Sequence, residues 1–368
     1  MAHFLVNTHS CRHMTTLILV IFVISLLILV HEWGHFYSAR KLGVKVEEFG
    51  FGFPPKLFSF TKKEIRYSLN LLPLGGFVKI FGEHGEGEGH NESFISRPAW
   101  QRFVILVAGV AMNVVLAWIF FSAGALFGVP QISEGTEGQV PVSIVTILPE
   151  SPAEGAGLKF GDQILELRSR DISLRVEKEK DIIDFADAYK GEEITMIISR
   201  TGEIKEVKLV PRANVPEGEG PIGIALGRLI IKRAPWYLAP LEGAETLFKS
   251  VTLTLYGFGS ILKELVVEGK TSIAVSGPVG IFYFAEDSRV LGASYFLQFI
   301  GLLSVNLAIL NFLPIPALDG GRILFLAIEK IRGARINPTT ENAVHTIGFF
   351  LLIFLMLLVT YKDIARIL

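Results

Sequence analysis

One cysteine, Cys11, stands in a chain of 368 residues, so there is no internal disulfide and no cysteine-based metal site. Charge is scarce too. Charged residues make up 19% of the chain, against about 25% in soluble domains. The net charge of −1 supplies no basic field, which excludes nucleic acid as a partner class. Internal repeats are absent, and the eight histidines are few enough that their spacing carries information. Half of the residues are hydrophobic, and part of such a chain belongs in lipid.

What the sequence does have is long apolar runs. A helix crossing a bilayer needs about 20 such residues, and four runs qualify, at 15–39, 99–128, 288–313 and 343–361. Residues 1–14 do not continue the first run. They read as a leader or tag-like segment, with Met14 as an alternative start and no weight given to His9 or His13. The loop 40–98 carries Arg40, Lys41, Lys45, Lys56, Lys62, Lys63, Arg66, Lys79 and Arg97, and the loop 314–342 carries Arg322, Lys330, Arg332 and Arg335. The positive-inside rule places both loops in the cytoplasm and the long segment 129–289 on the opposite side.

Three stretches between the spans have their own character. Ile65, Tyr67, Leu69 and Leu71 alternate with Arg66, Ser68 and Asn70, which is strand periodicity. Pro73-Leu74-Gly75-Gly76 then reads as a turn and Phe77–Phe81 as a return strand. The expectation is a β-hairpin over 64–81 that dips into the bilayer, with its backbone paired or lining a wet cavity. Upstream, the glycines of Phe49-Gly50-Phe51-Gly52-Phe53 would allow close backbone approach.

Residues 132–229 have soluble composition, and Ser151–Asp162 (SPAEGAGLKFGD) resembles the signature of PDZ domains, which bind extended peptides along a sheet edge. Gly220-Pro221-Ile222-Gly223-Ile224 resembles the carboxylate-binding loop of circularly permuted bacterial PDZ domains. The alternative is a plain spacer. Residues 235–270 are expected to form an interfacial amphipathic helix, with Pro235-Trp236-Tyr237 in the aromatic belt.

The chemistry gathers at the end of the first span. His31 and His35 are four residues apart and share one helical face. Two imidazoles at that spacing can hold one zinc ion. Glu32, beside the first, stands where the HExxH pattern places a general base. Ionisable groups are expensive inside a membrane and point to function; the plainer reading is a polar helix end reaching for water. A catalytic zinc site needs a third protein ligand. Asp319 is the first candidate, in a stretch broken by Pro314, Pro316, Gly320 and Gly321, as backbone lining a polar cavity can be. His345, in the fourth span, is the rival ligand, with a packed, hydrogen-bonded histidine as its plainer reading.

Two other classes stay open on residues alone. A non-enzymatic scaffold would make the His31, Glu32 and His35 cluster dispensable. A metal transporter would use Glu83–His90 (EHGEGEGH) for delivery, although alternating glycine and glutamate fix no geometry. Transport would also need polar residues along several spans, where only isolated ones such as Asn113, Asn306 and His345 occur.

HExxH within the first span, a PDZ signature between the second and third, and NxxPxPxLDGG at 311–321 together resemble the site-2 protease family. Within it the chain resembles the bacterial regulator-of-sigma-E type with a single PDZ domain, over essentially everything from Met14 onward. The fold class expected is a polytopic α-helical membrane protein of four transmembrane helices, with a membrane-associated β-hairpin region and one inserted PDZ-like domain. The resemblance implies Zn2+ held by His31, His35 and Asp319, and water activated by Glu32. It implies substrate or oxyanion contacts from Asn306 and Asn311, and a substrate clamp at Tyr67, Leu69, Gly75, Gly76 and Phe77. The implied partners are single-span membrane proteins, such as anti-sigma factors or signal-peptide remnants, and C-termini at the PDZ-like domain. The implied setting is regulated intramembrane proteolysis during stress, in a bacterial cytoplasmic membrane. The PDZ-like domain would be extracytoplasmic and the active site near the cytoplasmic side.

Overall fold

The computed structural model describes residues 2–83, 85–132, 140–148, 150–170, 172–216, 218–267 and 277–367, with side chains from His13 onward. The leader's first side chains, His84 of the acidic tract, residues 133–139 of the PDZ-like segment and 268–270 of the expected interfacial helix lie outside the described residues. In chain order the elements are α1 (Ala2–Lys41), β1 (Val46–Lys62), β2 (Ile65–Ile80), α2 (Ala99–Phe127), β3 (Val129–Ile132) and β4 (Val142–Ile147). Then come α3 (Pro152–Gly155), β5 (Gln163–Ser169), β6 (Ile172–Arg175), α4 (Glu179–Ala188), β7 (Ile194–Arg200), β8 (Glu203–Leu209) and β9 (Ile224–Lys232). The chain closes with α5 (Ala239–Val267), α6 (Pro278–Leu291), α7 (Ala293–Phe312), α8 (Asp319–Arg332) and α9 (Pro338–Ile367). Contacts divide it into two units, 1–124 with 235–368, and 125–234.

In the first unit, α1 from His13, α2, α7 and α9 are long and apolar enough to cross a membrane, which matches the four expected spans. Two boundaries differ from the sequence reading. α1 runs without a break from Ala2 through residue 14, so the leader is not a separate backbone element. The third apolar run is cut at Gly292, whose φ of +121° suits glycine and separates α6 from α7.

The β region is more elaborate than a hairpin. Residues 48–51 of β1 pair with 76–79 of β2 on one edge and with 66–69 on the other, and 66–69 pair outward with 58–61. The expected direct pairing of 65–71 with 77–81 is therefore not formed, because β1 is inserted between them. Gly50 makes the insertion possible. A Cβ there would lie 2.3 Å from the Phe77 ring and 2.7 Å from Ser68 Oγ. At the far end Phe53, Leu57, Phe58, Leu71 and Leu72 are exposed.

α5 also departs from expectation. Its Leu247, Val251 and Phe258 pack on Ala117 and Phe121 of α2 and on Val305 and Ile309 of α7. Gly243 sits against Ser122, where a Cβ would come within 2.2 Å of the hydroxyl. Farther on, Thr254 Oγ1 donates to Asn306 Oδ1 at 3.1 Å. Ser304 Oγ donates to the Asn113 carbonyl at 2.8 Å, which sets Asn306 near the depth of Asn113. α5 thus runs along two spans rather than lying flat across their ends, because a small-residue contact lets it in close. Its other face, with Phe248, Leu253, Tyr256 and Leu262, is exposed.

The second unit is a sheet in the order β3-β9-β4-β5-β7-β8, with β6 on β5. Its core holds Ile144, Ile164, Leu167, Met196 and Ile198, covered by Ile182 and Phe185 of α4. Ser151 caps α3 by accepting from the Glu154 N–H at 3.2 Å. The buried Asp162 accepts from Lys159 N–H at 2.8 Å and receives both Nε and Nη2 of Arg200, at 2.7 and 2.6 Å. The SPAEGAGLKFGD stretch is thus a capped turn locked to the sheet by a buried carboxylate.

Candidate metal centre

α1 carries His31, Glu32 and His35 where it crosses α2. Gly34 is the contact point. A Cβ there would lie 2.3 Å from the Ala108 carbonyl oxygen, so the two backbones meet directly. Every fourth residue of α2 then faces the histidines. The Ile105 carbonyl lies 2.9 Å from His35 Nδ1. Gly109 leaves room for the rings, since its Cβ would lie 2.3 Å from His35 Nε2 and 2.8 Å from His31 Cε1. Asn113 Nδ2 lies 3.3 Å from His31 Nδ1.

Asp319 reaches the same point as the first residue of α8. Its loop turns at Ala317, which has a φ of +78°, uncommon for a residue other than glycine. Gly320 and Gly321 pack on that loop so closely that Cβ atoms would lie 2.0 Å from the Leu313 carbonyl oxygen and 2.6 Å from that of Ile315. Two ion pairs hold α8: Arg102 with Glu329 at 2.8 Å, and Arg322 with Glu83.

The result is three converging ligand atoms. Asp319 Oδ2 lies 2.9 Å from His31 Nε2 and 3.2 Å from His35 Nε2, and the two nitrogens are 3.1 Å apart. Tetrahedral zinc with bonds of about 2.0–2.1 Å sets its ligand atoms about 3.3 Å apart, so the set fits that ion with small adjustment. Both histidines are buried.

Glu32 stands beside this group, and its Oε2 accepts the Val78 N–H at 3.1 Å. β2 follows α1 along this side. Ser25 Oγ donates to the Pro73 carbonyl, a Cβ on Gly75 would lie 3.2 Å from Ile28, and one on Gly76 would lie 3.7 Å from Glu32 Cγ.

The remaining expected site residues divide. Gly75 and Gly76 border Glu32, and the Phe77 ring lies over Gly50. Tyr67 stacks on Phe60, and Leu69 is exposed; both sit on the strand beyond β1. Asn306 turns to Thr254, and among the described residues Asn311 has no hydrogen bond to His31, Glu32, His35 or Asp319. His345 stands outside the ligand group, and its Nδ1 accepts the Ala317 N–H at 2.9 Å. Gly109, Asn113 and Val78 were missed as site residues. The trace in the sequence is a glycine and an asparagine four apart inside the second span.

Residues 19–355 match the model of peptidase family M50. The chain belongs to peptidase family M50. That match covers most of this M50 chain, so the likeness to site-2 proteases of the regulator-of-sigma-E type holds along it. It is 30% identical to the zinc metalloprotease RasP of Oceanobacillus iheyensis, over 96% of this chain and 99% of that one. It is 29% identical to RasP of Shouchella clausii, with 96% and 99% covered, and 29% to RasP of Geobacillus kaustophilus, with 95% and 98%. This M50 protein is a zinc metalloprotease of the site-2 type and a multi-pass membrane protein, with zinc as its cofactor.

Proposed function

We propose that this protease hydrolyses peptide bonds within the transmembrane segments of single-span proteins, with His31, His35 and Asp319 holding zinc and Glu32 as the catalytic base. One observation carries the reading. Two imidazole nitrogens and a carboxylate oxygen converge within hydrogen-bond distance, beside a glutamate and a strand backbone that reaches it through Val78.

Bound zinc supplies Lewis acidity, which lowers the pKa of water toward about 7 and polarises the scissile carbonyl. Glu32 takes the proton of the attacking water and returns it to the leaving amine. An amide N–H from Asn311 or Asn306 assists at the oxyanion; in Asn306 the Thr254 hydroxyl takes Oδ1 and leaves Nδ2 as the donor.

A transmembrane helix hides its peptide bonds in its own ladder. Strand addition along 76–78 of β2, with the Val78 N–H passing from Glu32 to the substrate, would replace those bonds as the helix opens, and this edge borders Glu32. Gly75, Gly76 and Phe77 then form the near part of the clamp, with Tyr67 and Leu69 supporting from the strand beyond β1. The exposed apolar end of the β region is suited to reaching into lipid.

The PDZ-like reading of the second unit is supported by its capped SPAEGAG turn and by β9. Residues 224–228 of β9 pair with β4 on one edge and residues 229–232 pair with β3 on the other, a strand along which an extended peptide could add. The Lys and Arg distribution supports cytoplasmic loops at 40–98 and 314–342 and an extracytoplasmic second unit, and the likeness to regulator-of-sigma-E-type proteases supports residence in a bacterial cytoplasmic membrane. Anti-sigma factors and signal-peptide remnants are the substrate classes that the resemblance to regulator-of-sigma-E-type proteases implies.

The test combines metal analysis with cleavage of a single-span reporter. Glu32→Gln is expected to keep zinc and fold while losing cleavage by about 100-fold or more. Retained turnover would sink the assignment.

A further inference from the structure

We infer that Asn113 is a positioning residue for the metal centre, fixing the tautomer of His31 through its side-chain carbonyl. The inference rests on the zinc reading above and concerns a residue outside the ligand set.

His31 turns Nε2 toward Asp319 and His35, at 2.9 and 3.1 Å. Ligation through Nε2 requires the ring proton on Nδ1, since a neutral imidazole carries only one. That N–H is buried and needs an acceptor. Asn113 is fully buried, its amide is the group facing Nδ1 at 3.3 Å, and its Oδ1 has no partner among the described residues. The oxygen and nitrogen of an amide are assigned from their surroundings, and the tautomer that can bind metal requires Oδ1 toward His31. A half-turn of the amide achieves this without moving the helix.

His35 is served in the same way by the same face. Its Nδ1 lies 2.9 Å from the Ile105 carbonyl. One helical stripe, Ile105, Gly109 and Asn113, thus provides an acceptor for each ring and an empty place between them. The backbone around Asn113 is tied independently, through the Ser304 hydroxyl on its carbonyl, so the side chain is free to serve His31.

The experiment uses the full-length protein in detergent and reads zinc affinity by chelator competition, with the visible spectrum of the cobalt-substituted protein as a second readout. Wild-type binding that His31→Ala abolishes establishes the ligand set; a wild type whose zinc is indifferent to His31→Ala rejects the zinc reading itself. Given that control, Asn113→Leu, similar in size but without an acceptor, is expected to weaken zinc by about 10- to 100-fold and to shift the cobalt bands. Asn113→Asp, which keeps an acceptor oxygen, is expected to restore both. Asn113→Ala gives the same comparison if the leucine does not pack. Wild-type affinity and spectrum in both acceptor-free variants would overturn the inference, as would an aspartate variant no better than leucine.

Discussion

The backbone N–H of Val78 donates to Glu32 Oε2 at 3.1 Å, joining the edge of the β region to the carboxylate beside the metal ligands. The two residues belong to different elements, and Ser25 repeats the link about two turns upstream through the Pro73 carbonyl. This edge and the face of α1 that carries Glu32 are therefore one surface, so a strand docking there arrives within reach of Glu32.

That arrangement ranks two proline substitutions. Phe77→Pro disturbs the segment bordering Glu32, whereas Leu69 lies on the strand beyond β1. Initial rates on a single-span reporter are expected to fall substantially more for Phe77→Pro than for Leu69→Pro. Equal rates would remove strand addition at this edge.

Gly109→Ala tests the cavity that admits the two rings. The added methyl would lie 2.3 Å from His35 Nε2. Overpacking of this kind costs about 1–3 kcal/mol, and here it acts on a ligand. Zinc per protein and cleavage are both expected to fall, while Gly257→Ala, with nothing within 4 Å among the described residues, leaves both unchanged.

His345 separates a ligand from a brace. Its Nδ1 holds the Ala317 N–H, two residues before Asp319, and Gly348 packs on Pro316. His345→Asn, whose Oδ1 can take the place of Nδ1, is expected to keep both zinc and activity. His345→Leu should retain one zinc at reduced affinity, and Asp319→Ala should lose it. Loss of zinc in both histidine variants would return His345 to the ligand set.

Metal removal should be reversible. Chelation is expected to abolish reporter cleavage, lower the thermal midpoint of the first unit and release both effects on adding zinc, since an ion binding only the folded state stabilises it by mass action. A midpoint indifferent to zinc would mean that no specific site is filled.

The sequence by itself determined the apolar runs, because a helix in lipid needs its length written in consecutive residues. It determined the local ligand pair too, since His31 and His35 are brought together by the pitch of one helix. Asp319 was legible through the broken backbone around it. Tertiary structure decided the rest. That β1 lies between the two parts of β2 depends on a non-local fit of Gly50 under Phe77, which alternation along one segment cannot reveal. α5 followed its packing surface on α2 and α7 rather than its charges. His345 proved a partner of Ala317, and Asn113 a neighbour of His31 from 82 residues away. Periodicity records which face of an element is apolar, but only the meeting of faces decides which atoms stand around a metal ion.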